Sequence, residues 1–190
     1  MSEEFNRFLS RLDENLEYVQ IGYQKFTSKE LYICDPMDQA RFPITEPIVP
    51  GRYPIYVALK DWTYHSKFAP SPHNARLEIW FSDDEPTKWE QLREGDYQDE
   101  FSAEFGCMAF LDKRLMDFLK PINDKGELFD KYLCDQIYKG NNQLPYPKVK
   151  LDENHHLFVV CSGGGNGMYC AFAGHDSSGK LLRISVDFEL

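Results

Sequence analysis

The alternation of apolar and polar positions predicts an N-terminal helix, a series of short strands, a helical middle and a strand-rich end. Phe5, Phe8, Leu9 and Leu12 recur at i, i+3, i+4 and i+7, the stripe of an amphipathic helix over 2–12. Ser2 stands at its cap, and Glu3 and Glu4 sit in the first turn, where the helix dipole favours acid. Strand-like runs follow at 18–21 and 31–34, the second stopping at Asp35-Pro36. Residues 41–54 carry four prolines and read as an extended loop leading into an edge strand. Beyond it Tyr53, Ile55, Val57 and Leu59 line one face of a strand. Leu77, Ile79 and Phe81 line another, against Arg76, Glu78 and Trp80.

Thr87 and Glu90 have the spacing of a capping box and predict a short helix ending near Gly95. An apolar run at 107–111 precedes two helical segments, 115–119 and 127–138; Phe129, Tyr132, Leu133 and Ile137 form the stripe of the second. The last third predicts a three-stranded meander. Its strands are 157–161, 168–173 and an alternating run through Leu182, Ile184, Val186 and Phe188, joined by a glycine turn and by 176–179. Strands outnumber helices and short turns link them, so antiparallel pairing dominates. With no repeat or linker, the expectation is one domain over 1–190, α+β and mainly antiparallel β. The architecture is a curved sheet or sandwich with an N-terminal helix, helices inserted in the middle and a C-terminal meander.

Composition narrows the class. A chain that is 42% hydrophobic and 15% aromatic supports an ordinary packed core and excludes disorder. No apolar run approaches the ~18 residues a bilayer requires, and the acidic start lacks the regions of a signal peptide. Five cysteines, at 34, 107, 134, 161 and 170, form neither a CxxC pair nor an even framework. These features lead us to expect a soluble, cytoplasmic protein with buried thiols. The net charge is −10, and residues 83–104 hold nine acidic residues against two basic ones. That field repels phosphate backbones and anionic lipid, so neither nucleic acid nor membrane is an expected partner. It suits a basic protein, or solubility alone.

Several landmarks occur in order along the chain: Asp35-Pro36, Pro50-Gly51-Arg52-Tyr53-Pro54-Ile55, Gly106-Cys107-Met108-Ala109-Phe110-Leu111-Asp112, and the end Ser162-Gly163-Gly164-Gly165-Asn166-Gly167-Met168-Tyr169, Gly174 to Gly179 and Asp187-Phe188. Together they resemble the bacterial domain of unknown function 4241 family. The resemblance implies a bacterial, soluble, single-domain protein without an assigned reaction. It also implies two departures. The family's glycine motif reads Ser-Gly-Trp-Gly-Asp-Gly, whereas Gly164 and Asn166 stand here, and Ser102 replaces an acidic residue.

The candidate chemistry is sparse. The backbone around Ser162, Gly163, Gly165, Asn166 and Gly167 forms either an anion-binding nest or a hairpin loop with Asn166-Gly167 at positive φ. No Gly-Lys-Ser/Thr follows it, and Val160 breaks the serine-elbow pattern. None of the five histidines has metal-ligand spacing, so no metal or cofactor is expected. Asp35, Asp112 and Asp187 fall at the ends of apolar runs, where they either converge on a site or accept backbone N–H groups. Trp62, Tyr64 and Phe68 make the 61–74 connection a recognition surface or a cover for the sheet. The favoured function is a non-enzymatic binding protein, immunity-type or regulatory, using that loop and Asp83, Asp84, Asp99 and Glu100 on a basic partner. The alternative is a hydrolase or small-molecule- or metal-binding enzyme built on the three aspartates near the glycine turn. A third possibility is an oligomer subunit pairing through the Tyr53 edge.

Overall fold

The computed structural model describes residues 2–12, 14–37, 42–60, 73–94, 100–139, 142–162 and 164–189. Helix α1 (Glu3–Ser10) opens the chain, and the Ser2 hydroxyl accepts the Phe5 N–H as its cap. Strands β1 (Glu17–Phe26), β2 (Leu31–Cys34), β3 (Gly51–Lys60), β4 (His73–Trp80), β5 (Lys88–Gln91), β6 (Phe101–Ala103) and β7 (Cys107–Asp112) follow. Helix α2 (Lys113–Asn123), a π-helical turn (Phe129–Leu133) and α3 (Cys134–Ile137) form the inserted helices. The chain then runs through β8 (Tyr138–Lys139), β9 (Asn142–Gln143), β10 (Lys148–Lys150), β11 (His156–Phe158), β12 (Val160–Cys161), β13 (Gly167–His175) and β14 (Leu181–Asp187).

Two antiparallel sheets stack between helices. The larger has the order β1-β3-β4-β14-β13-β5, with β6 also paired to β13; the smaller is β12-β7-β2. Strand periodicity sorts side chains into three apolar layers. Ile55, Val57, Leu77, Ile79, Ile184 and Val186 face Leu31, Ile33, Met108 and Phe110 across the inter-sheet core. From the same small strands, Tyr32, Cys34, Cys107, Ala109 and Leu111 point the other way, onto Leu115, Leu119, Leu133 and Ile137. The run at 107–111 is apolar throughout because both of its faces are buried. On the far side of the large sheet, Phe8 stacks on Phe172 at 3.9 Å and meets Trp89 edge-on at 5.1 Å.

Three expected elements come out differently. Residues 87–90 form strand rather than helix: β5 pairs with Phe172 to His175, and the Thr87 N–H donates to the His175 carbonyl. A sheet edge that needed a partner, with Trp89 set against Phe8, outweighed a local capping pattern. The C-terminal meander is also corrected. Strand β12 pairs with β7 in the small sheet, whereas β13 pairs with β14, β5 and β6 in the large one. The glycine stretch therefore carries the chain from one sheet to the other. Strand β3, which holds Tyr53, lies between β1 and β4 and is not an edge, because Pro54 sits opposite Tyr23 within a paired ladder.

The alternation on β4 and β14 conceals a polar layer. Arg76 and Glu78 are only 3% and 2% exposed, and Ser185 and Asp187 lie beside them. The Glu78 carboxylate accepts from Trp80 Nε1 at 2.7 Å and from the Ser185 hydroxyl at 3.1 Å. Burial pushes this carboxyl above its usual range, against the pull of the Trp80 bond and of Arg76 and Arg183. A raised native pKa makes the ionised group a stability cost above that pKa, and the cost fades as pH falls toward the unfolded value. Glu78→Gln keeps an acceptor oxygen and removes the charge. Thermal melts should show it more stable than the parent at pH 8, with the advantage gone near pH 4.5; an advantage that does not vary with pH refutes the assignment.

Candidate functional site

A cleft of about 50 Å³ opens where the end of β1, the start of α2 and the turn before β11 meet. Gln24, Lys25 and Thr27 line one wall, Asp112, Arg114 and Leu115 a second, and Asn154, His155 and His156 the third. Asp112 positions two of these walls. Its Oδ1 accepts the Leu115 N–H at 2.9 Å as the cap of α2, and its Oδ2 accepts the Thr27 N–H and hydroxyl at 2.8 and 2.7 Å. One carboxylate thus ties the helix start to the chain leaving β1.

The third wall is built by Asp152. Its Oδ1 accepts the Asn154 and His155 N–H groups, both at 2.7 Å, and its carboxylate meets His155 Nδ1 at 2.8 Å. Arg114 Nε donates to His155 Nε2 at 3.0 Å. Arginine only donates, so the ring carries its proton on Nδ1. Phe118 stacks against this ring at 4.5 Å. His156 is held below its ordinary pKa by desolvation and by the charges of Lys148 and Arg52, with a backbone bond at Tyr23 acting the other way. Gln24, only 4% exposed, gives its Nε2–H to the His156 carbonyl at 3.4 Å, and its Oε1 has no hydrogen-bond partner among the described residues.

The three aspartates singled out in the sequence do not meet. In the β2–β7 ladder Leu31 lies opposite Asp112 and Cys34 opposite Ala109, which puts Asp35 and Asp112 at opposite ends. Asp35 accepts the N–H groups of Met37 and Phe105 at 3.0 and 2.8 Å. Asp187 belongs to the large sheet, where it pairs with Arg11 under α1. Each carboxylate holds two segments together, and among the described residues no group of three His, Cys, Asp or Glu is set to hold a metal.

The glycine stretch is organised around a carbonyl. The hydroxyls of Ser162 and Tyr169 both donate to the Gly165 oxygen, and the Gly165 N–H donates to the Ser162 oxygen. Burial raises the pKa of the Tyr169 hydroxyl, against a lowering bond with Ser162. Only Gly165, at φ +83°, takes positive φ among the described residues of the stretch, so the expected Asn166-Gly167 turn is replaced by a bend at Gly165. Gly163 lies outside the described residues, as do Trp62, Tyr64, Phe68 and Asp99. The stretch docks on the turn after β6, where Ser162 N–H donates to the Gly106 carbonyl at 2.9 Å. A Cβ on Gly106, itself at φ +68°, would lie 3.2 Å from Asn166 Oδ1.

Of the acidic candidates, Asp83 and Asp84 are exposed at the connection between β4 and β5, near the His175 end of β13; Glu100 precedes β6 nearer the middle of β13, and Glu104 follows β6 at the Gly167 end. Eight residues at about 3.3 Å each separate those ends by roughly 26 Å. The acidic segment is therefore spread along a strand. Sequence reading missed the cleft: it singled out Asp112 for a different convergence, and the lining comes together from three distant segments, 24–27, 112–115 and 154–156. It also missed a thiol pair: Cys107 and Cys161 sit opposite each other in the β7–β12 ladder with sulfurs 3.8 Å apart.

Among the described residues no helix is long and apolar enough to cross a membrane. No curated protein and no solved structure matches the chain. A family model described as a protein of unknown function, DUF4241, matches residues 24–186, a span that takes in the cleft, both sheets and the glycine stretch. The chain belongs to the DUF4241 family.

Proposed function

We propose that this chain is a non-enzymatic binding protein of the bacterial cytoplasm that docks a basic protein partner, in an immunity-type or regulatory role. One observation carries the reading. Phe105 is 51% exposed on the turn after β6, and Met168 is 45% exposed on β13, opposite Ser102. Two large apolar side chains from segments far apart in sequence thus flank one turn, with Glu100 and Glu104 exposed beside them. Apolar anchors ringed by one sign of charge suit a partner of opposite charge. The bonds among Ser162, Gly106, Gly165 and Tyr169 hold the face rigid, which lowers the entropy cost of docking. The cytoplasmic part rests on cysteine usage, five residues without a paired motif.

The test starts from affinity purification in the native cell, followed by binding kinetics with the basic protein recovered. Reversing Glu100 and Glu104 to lysine should slow association about ten-fold at low salt. Phe105→Ala with Met168→Ala should speed dissociation. The same reversal at Asp83 and Asp84 should change neither rate much. No stoichiometric basic protein, or equal sensitivity at both ends of β13, overturns the proposal.

A further inference from the structure

We propose that the cleft between β1, α2 and the turn before β11 is a binding site for inorganic phosphate, held as hydrogen phosphate. The site is separate from the docking face above and does not depend on it. In a chain of net charge −10, basic residues such as Arg11, Lys60 and Arg183 are paired with carboxylates. Around the cleft the basic residues lack such partners among the described residues. Lys25 and Arg114 line it, Arg52 lies opposite Lys25 in the β1–β3 ladder, and Lys148 is close enough to act on His156. None of these four forms an ion pair among the described residues; Arg52 and Lys148 rest on the rings of Tyr23 and Phe158, and Arg114 on His155. Two uncompensated cations in the lining, with two more beside it, favour an anion.

The geometry supplies further donors. The cleft lies at the start of α2, an eleven-residue helix whose positive end adds to the field. Arg114 retains Nη1 beyond its bonds to His155, and Asn154 adds an amide. Among the described residues Asp112 is the one carboxylate lining the cleft, and it already accepts three hydrogen bonds. The volume, about 50 Å³, suits one small oxyanion. The acceptor left over selects among oxyanions. Gln24 lines the cleft with an Oε1 that has no donor among the described residues. Phosphate at neutral pH still carries a P–OH that can serve it, and sulfate carries none.

Thermal shift and calorimetry on the full chain test this, with sodium phosphate, O-phosphoserine, sodium sulfate and sodium chloride at matched ionic strength. Phosphate about ten-fold above its Kd should raise Tm by roughly 3–5 °C. Sulfate should do much less, and chloride nothing. Arg114→Ala and Lys25→Ala alter exposed side chains and should each weaken phosphate binding about ten-fold. Ring resonances of His155 and His156 should move on titration while those of His175, in the large sheet, stay fixed. Response to phosphate alone assigns hydrogen phosphate; O-phosphoserine, whose monoester is mostly a dianion without P–OH at neutral pH, should act as weakly as sulfate, and an equal response to it overturns the assignment. Equal effects of sulfate and phosphate, a response kept in both variants, or no response beyond chloride overturn the proposal.

Discussion

Arg11→Met is expected to destabilise the protein by about 3–5 kcal/mol at neutral pH, the cost of leaving a buried carboxylate without its counter-charge. For a chain of this size that is roughly 6–20 °C in Tm. Asp187 is fully buried beneath the end of α1, where Arg11 Nη2 binds its Oδ2 and the Glu189 N–H donates to its Oδ1 at 3.1 Å. Arg11 also gives Nη1 to the Glu189 carbonyl at 2.7 Å, and Arg76 donates to the Arg11 carbonyl at 2.8 Å. Methionine keeps the bulk of the stem and removes only the charge and its hydrogen bonds.

The pH dependence separates this loss from simple packing damage. Burial raises the Asp187 carboxyl above its ordinary 3.8, with Arg11 opposing. Without Arg11 the native pKa climbs further. A raised carboxylate pKa costs stability above that pKa, and the cost vanishes as pH falls to the unfolded value. The gap between variant and parent should therefore be widest at pH 7–8 and close toward pH 4. Glu189 behaves oppositely. Burial acts to raise it, but His73 and Lys60 bring it down to about 2, so its contribution is lost only as pH falls from 4.5 through that value. Arg11→Met combined with Asp187→Asn should recover most of the loss. Urea melts across this range decide the matter: a pH-independent deficit, or no recovery in the double variant, refutes the ion-pair account.

Asp112→Ala should cost a comparable amount, about 3–5 kcal/mol, from one helix cap and two charge-assisted bonds left without an acceptor. The buried Leu115 N–H and the Thr27 N–H and hydroxyl all lose their partner. Asp112→Asn retains one acceptor oxygen and should cost about half as much. Thr27→Val removes only the hydroxyl bond and should cost about 1 kcal/mol. That graded series is the signature of a carboxylate that joins two segments. A variant at Asp112 that unfolds like the parent would show that α2 is held without its cap.

Much of the fold is legible in the residues. The stripe of Phe5, Phe8 and Leu12 finds its sheet, the cap at Ser2 forms, and the faces of β3, β4 and β14 separate as alternation requires. The resemblance to the 4241 family holds over residues 24–186. Local pattern failed at Thr87, where strand pairing overrode a capping box, and at the glycine stretch, where adjacency in sequence suggested a hairpin. Neither error was avoidable, because the partner of a strand is chosen by non-local burial.

The sequence by itself determined the class: an acidic, antiparallel α+β chain with apolar layers set by period and caps set by neighbouring residues. The tertiary structure alone decided which polar groups meet. It buried Arg76, Glu78 and Asp187 on a face that alternation marks as outward, because α1 and the rings of Trp80 and Tyr18 cover it. It separated Asp35, Asp112 and Asp187, and it gathered Lys25, Arg114, His155 and His156 around one cleft. The physical reason is range. Backbone preference and side-chain period act over a few residues, whereas charge, burial and hydrogen bonding act between whichever segments packing brings into contact.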